Sequence, residues 1–267
     1  MSTNDPAKVP DNNLPEMGDW RTAKPFWVTG IGAEVLPTPL LAHQVTVTEA
    51  PGKFHSFVTP SAPALHLNFA WKLARQASTT RKAIRWNTAR NLPFNVGYEI
   101  NAESVGPLYD YFEETMACAI ASFAAVEAFC NGVLAERATL PIKAKRKRNG
   151  VEDEVSMSLE DAERLLTTDE KLKRYVPDLL GVPTPSGKKP WQAYKRLKDL
   201  RDTVTHFKRK DQAKHALDSH EPTALHAMTQ LDPYVLPEAA MLVLEYFHSK
   251  EVRPRWLHNP SWLRHAE

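Results

Sequence analysis

The stretch ESVGPLYDYFEETMACAIASFAAVEAFCNGVLAER, residues 103–137, decides the fold class. Leu108, Phe112, Met116, Ile120, Phe123, Val126 and Cys130 follow a three-and-four spacing, which predicts one long helix with a buried apolar face. Its most apolar run, MACAIASFAAV (116–126), ends at Glu127 and is far shorter than the ~20 residues needed to span a bilayer, so it reads as a core helix. Cys118 and Cys130 lie on this one helix. Twelve residues at about 1.5 Å each separate them by roughly 18 Å, too far for an intrachain disulfide. No signal peptide is read in MSTNDPAKVPDNN, and the expectation is a reduced, cytoplasmic protein without a membrane segment.

Working toward the N-terminus, APALHLNFAWKLARQASTTRKAIRW places Leu65, Phe69, Leu73 and Ala77 at four-residue spacing and predicts a second helix. Residues 1–60 are punctuated by proline and are expected to be an irregular, flexible segment with one or two edge strands near HQVTVTEA. The segment 61–102 is taken as a helical extension, 103–250 as the main bundle, and 251–267 as a basic aromatic tail. That tail places Trp256 and Trp262 among arginines. Such residues can stack single-stranded bases, though packing on the surface is the commoner use.

Toward the C-terminus, IKAKRKRNGVEDEVSM invites a nucleic-acid reading of its basic half. Asn149-Gly150 is the preferred centre of a type I′ hairpin turn. Folded about it, Lys147 faces Glu152, Arg146 faces Asp153 and Lys145 faces Glu154, so the basic run is neutralised by its own partner strand. A hairpin insert over 141–157 is the expectation. Beyond it, Ser158-x-x-Asp161 and Thr167-x-x-Glu170 read as capping boxes, and a helix ends at Leu180-Gly181. Pro190 opens a further helix with Trp191, Tyr194, Leu197, Leu200 and Val204 inward, and PEAAMLVLEYFHSK (237–250) forms the last.

The helix after Pro190 carries RDTVTH, residues 201–206. Asp202 and His206, four apart, share a helix face, so the acid can orient the imidazole. Arg201 and His206 lie about 140° apart on a regular helix. A histidine moves protons near neutral pH, and an arginine holds a phosphate in two hydrogen bonds. From 188 to 214, ten Lys/Arg against three Asp give a local net charge of +7, while the whole chain carries +2. By spacing alone, a solvated, salt-bridged helix face accounts for the same residues. The histidines at 215, 220 and 226 fit no common metal-ligand spacing. No glycine-rich phosphate loop or Gly-x-Ser-x-Gly elbow is present, and no metal or cofactor is expected.

RDTVTH, preceded by WQAYKRLKDL and, far upstream, by SFAAVEAFCNGVL with Glu127 and Asn131, resembles the HEPN superfamily of helical bundles. The likeness covers about residues 103–250. It implies a mostly α, HEPN-like bundle with an inserted β-hairpin and an irregular N-terminal region. It also implies a metal-independent endoribonuclease acting as a homodimer, often in defence or toxin–antitoxin systems with an antitoxin or regulatory partner. Carried over, His206 is the general acid/base, Arg201 stabilises the scissile phosphate, Asp202 tunes the pair, and Glu127 and Asn131 are supporting polar residues. The alternative within the same resemblance is a non-enzymatic dimerisation or nucleotide- or RNA-binding module.

Overall fold

The computed structural model describes residues 19, 21–23, 26–31, 34–42, 45–50, 53–89, 97–139, 141–148, 151–206, 223–248 and 254–258. Within these residues the protein is mostly helical. The helices are α1 (Ala62–Ala83), α2 (Val105–Arg137), α3 (Leu159–Leu165), α4 (Thr168–Glu170), α5 (Val176–Leu180), α6 (Lys189–Thr205), α7 (Ala224–Gln230) and α8 (Val235–Phe247). A π-helical turn, Lys171–Tyr175, joins α4 to α5. Pro177 lies just beyond it, and with no N–H of its own it leaves one carbonyl of the preceding turn without the usual partner, a common cause of local rewinding.

The long helix forms as its spacing predicts, but its burial is not one-sided. Cys118, Ala119, Ala121, Phe123, Ala125, Val126, Phe129 and Cys130 are all buried, whereas Ile120 is 44% exposed. The reason is that α1, α6 and α8 pack around α2, so most of its circumference faces protein. Its apolar window is long and hydrophobic enough to cross a bilayer by composition, yet 61% of it is buried inside the bundle. Helix α1 forms where expected but turns a different face inward: Ala64, Leu67, Ala70, Trp71, Ala74 and Ala77 are buried, while Phe69 is 53% exposed. The small alanines allow α1 and α2 to approach closely, and the segment read as an extension supplies part of the main core.

Two antiparallel hairpins occupy the N-terminal region read as irregular: β1 (Phe26–Ile31) with β2 (Glu34–Ala42), and β3 (Val45–Ala50) with β4 (Lys53–Val58). Alternating Val and Thr in VTVTEA suits a strand, and its four-residue core was the visible part of a longer pairing. A third pair, β5 (Trp86–Ala89) with β6 (Gly97–Ile100), follows α1.

The insert is the fourth hairpin, β7 (Ile142–Arg148) with β8 (Val151–Met157). Its register matches the charge pattern: Lys147 opposes Glu152, Arg146 opposes Asp153 and Lys145 opposes Glu154. A diagonal ion pair, Lys143 Nζ to Glu154 at 3.1 Å, adds to the ladder. Ile142, Ala144 and Met157 pack with Leu134, Ala162 and Leu166 in a small second core, which fixes the hairpin to the bundle. The turn at Asn149-Gly150 lies outside the described residues.

Of the two capping boxes read, Thr167 and Glu170 close a full one, while Ser158 makes only its own half by accepting the Asp161 N–H; Gly181 ends α5 at φ 61°. Glycine suits that left-handed position because it has no Cβ to clash.

Candidate functional site

Helix α6 begins with Pro190 in its first turn and lays Trp191, Tyr194, Leu197 and Val204 against the core. Tyr194 stacks on Phe123 of α2, ring centroids 6.0 Å apart, and meets Trp191 at 5.1 Å. Its hydroxyl donates to Asp169 Oδ1 at 2.6 Å. Asp169 also faces Lys198 Nζ at 3.3 Å and Lys195 Nζ at 3.8 Å. Burial works to raise the Asp169 carboxyl, but the Tyr194 hydroxyl and the two ammonium groups outweigh it and hold the carboxyl below its usual range. Burial, reinforced by the bond to Asp169, pushes the Tyr194 phenol well up.

One turn beyond Lys198, the Arg201 guanidinium lies 3.8 Å above the Phe123 ring. Its Nη1 meets Asp202 Oδ1 at 2.9 Å, and its Nε is buried without a hydrogen-bond partner. Only 27% of the arginine side chain is exposed. This is a cation–π platform, in which the aromatic face attracts the cation while the carboxylate fixes its rotation.

The helix then stops at the motif. Thr205 donates its hydroxyl back to the carbonyls of Arg201 at 2.8 Å and Asp202 at 3.3 Å. His206 is the C-cap, at φ −134° and ψ 67°, with its N–H on the Asp202 carbonyl at 3.1 Å. The histidine is exposed and has left the helical path, so the 140° separation of a regular helix no longer applies. Asp202 does not orient the imidazole as its spacing suggested, because its carboxylate turns to Arg201. Most of the basic run after His206 lies outside the described residues, as do His215, His220 and Trp262. No group of three or more His, Cys, Asp or Glu side chains forms a metal site among the described residues.

Of the two supporting residues, Asn131 is engaged away from the motif. Glu127 is exposed on α2. Asn131 lies eight residues past Phe123, about 12 Å further along the axis. Its Oδ1 accepts from Lys171 Nζ at 2.7 Å, and the same ammonium donates to the Glu163 carbonyl at 2.8 Å. Lys171 is completely buried. Burial pulls its ammonium below the ordinary lysine range, against the opposing pull of the Glu127, Glu163 and Glu170 carboxylates. Asn131 therefore anchors the π turn and does not touch α6's polar edge.

Sequence reading missed Phe123, Tyr194 and Asp169 as parts of this edge. Phe123 and Tyr194 looked like ordinary core positions, and Asp169 looked like a first-turn acid. Their meeting is a long-range fact, joining α2, α4 and α6. Compared with known proteins, the chain matches no family model, no curated protein and no solved structure.

Proposed function

We propose that this protein is a metal-independent endoribonuclease acting as a homodimer in a reducing cytoplasm, with Arg201 and His206 at its chemical centre. The observation that carries the reading is a guanidinium held on Phe123 in the last turns of a helix that an exposed histidine ends. Lys195 and Lys198 extend the positive edge toward Asp169 and suit a phosphate backbone. In the proposed reaction the ribose 2′-oxygen attacks phosphorus, His206 takes its proton, and the P–O5′ bond breaks. The products are a 2′,3′-cyclic phosphate and a 5′-hydroxyl, the leaving oxygen being protonated by the partner's copy of the histidine. Arg201 stabilises the charge gathering on the phosphate oxygens. Defence or toxin–antitoxin work, with an antitoxin or regulatory partner, is the setting the resemblance suggests.

A second reading, a non-enzymatic dimerisation or RNA-binding module, is favoured by one observation. Arg201 is three-quarters covered and already paired with Asp202, as a structural arginine is. The deciding experiment is cleavage of varied RNAs in EDTA by the protein and by His206→Ala of unchanged melting temperature. Loss of cleavage in the variant, with a cyclic phosphate on the wild-type product, supports the nuclease. RNA binding without cleavage by either protein leaves the module. Sedimentation at micromolar concentration tests the dimer.

A further inference from the structure

Between Glu49 and Glu99 the chain carries seven Lys/Arg and no Asp or Glu, a local net of +7 against +2 for the whole. Helix α1 sits in the middle of this stretch, outside the segment that carries the family resemblance. At 100° per residue Lys72, Arg75 and Lys82 fall within about 80° of one another on α1, and all three are exposed. Arg81 does not belong to this row, because its guanidinium donates to the Thr229 and Leu231 carbonyls and ties the end of α7 to α1. Lys72 and Lys82 form no ion pair among the described residues. A helix C-terminus favours cations only in its last turn, which suits Lys82 but not Lys72, three turns earlier.

Just past the helix end Arg85 continues the row. Its Nη1 donates to the carbonyls of Lys82 at 2.5 Å and Ile84 at 3.2 Å, and its backbone N–H donates to Ser104 Oγ at 2.9 Å. The guanidinium is thus held over the end of α1, exposed and without an ion pair among the described residues. Trp86 follows it as the first residue of β5, opposite Ile100, with its indole 45% exposed. The acid in this hairpin, Glu99, opposes Asn87, and strand alternation turns that pair to the other face from Trp86. At the far end of the row, about one turn before Lys72, Phe69 is also exposed.

We infer that this side of α1, with Arg85 and Trp86 at its end, binds a single-stranded polynucleotide. Lys72 and Lys82, about 15 Å apart along the helix, follow the phosphates with Arg85, and the exposed indole stacks an unpaired base. A double helix offers the phosphates but keeps its bases stacked on one another, away from Trp86. A bilayer fits the face less well. Leu65 and Phe69 are confined to the first two turns, and Lys72, Gln76 and Thr79 follow them, so no continuous apolar side is there to bury. The inference needs no cleavage and stands apart from Arg201 and His206.

The test follows, by fluorescence anisotropy over a salt series, binding of the full chain to labelled RNA and DNA single strands of about 12 nucleotides, within the site sizes such surfaces take. All proteins carry His206→Ala, so that any RNA stays whole. At least one strand is expected to bind, more tightly than the matching duplex and more weakly as salt rises. Lys72→Gln with Lys82→Gln is expected to weaken binding about tenfold and to lower the salt slope by about 1.4, roughly 0.7 for each cation. Trp86→Leu is expected to weaken it about tenfold at unchanged slope. Lys143→Gln with Arg164→Gln removes as much charge elsewhere and is expected to cost less than about threefold. Vesicles of phosphatidylcholine and phosphatidylserine are expected not to bind. The inference is overturned if neither strand binds, or if the α1 variants lose no more than the charge-matched control. Vesicle binding that the α1 variants abolish, with strand binding intact, overturns it in favour of a membrane. Should Trp86→Leu fail to fold, the paired lysine variant decides. Failure of the nuclease reading shows in the EDTA cleavage assay and leaves these results unmoved.

Discussion

Asn131→Ala removes one of the two hydrogen bonds that hold the buried Lys171 ammonium, leaving only the Glu163 carbonyl at 2.8 Å. A hydrogen bond to a charged group contributes about 1.5–3 kcal/mol, and the group left behind has no water to turn to. The expected loss is therefore about 2–3 kcal/mol, or a melting temperature lower by about 5–10 °C for a chain of this size. Replacing both partners at similar volume, Asn131→Leu with Lys171→Met, removes the charge together with its need for a partner. This double variant is expected to be more stable than Asn131→Leu alone by about 2 kcal/mol. The pH dependence has a definite sign. Burial lowers the folded-state pKa of Lys171, so above that value and up to the ordinary lysine range the unfolded chain binds more protons. The lysine's contribution to stability thus rises with pH across that window, and Asn131→Ala extends the window to lower pH. Urea unfolding followed by circular dichroism measures all three effects. A single-variant cost below about 0.5 kcal/mol, or a double variant as damaged as the sum of its parts, would refute the reasoning. Loss of RNA cleavage by Asn131→Ala at full stability would return Asn131 to the site.

Three further outcomes are expected. Tyr194→Phe loses the 2.6 Å bond to Asp169 and should destabilise by about 1–2 kcal/mol. Because Asp169 is held below the usual carboxylate range, its contribution is present at neutral pH and fades as pH falls through its folded value. The acid limb of the wild-type stability curve should therefore be steeper than that of Tyr194→Phe, and matching limbs would count against the pairing. Burial pushes both Cys118 and Cys130 up to about 12, so native protein should resist iodoacetamide at pH 8 and react fully in urea. Rapid native labelling of either would show that α2 is less enclosed than described. Gly181→Ala, at φ 61°, should cost about 1 kcal/mol, measured as a lower urea midpoint at unchanged slope.

What the sequence made legible was mostly local. The bounds of α2, the two caps at Ser158 and Thr167, the Gly181 stop and the β7–β8 register all follow from neighbours within a few residues, where hydrogen-bond partners and turn geometry are set by the chain itself. Faces were harder to read. Leu65 and Phe69 of α1 share a four-residue spacing with Leu73 and Ala77, yet they are exposed while Ala64, Ala70 and Ala74 are buried. Close helix packing against α2 selected the alanines instead. The same limit governed the α6 edge. Arg201, Asp202 and His206 were visible as a motif, but the aromatic under the arginine comes from 78 positions earlier and the acid facing Lys198 from a different helix. Asp202's preference for Arg201 over His206 arises because Thr205 ends the helix, which carries His206 away from the i, i+4 face.

The enclosure of α2 also sets an order for biosynthesis. When Arg137 has been added, α1 is the one helix of those packed around α2 that has already been made, and α2 is apolar enough by composition to cross a bilayer. Helices α6 and α8 arrive within about the next 110 residues, roughly 5–20 s later at ordinary elongation rates. Through that interval α1, with its row of buried alanines, is the nascent chain's own helical cover for α2, and a chain lacking α1 would leave that face of α2 bare until the bundle closed.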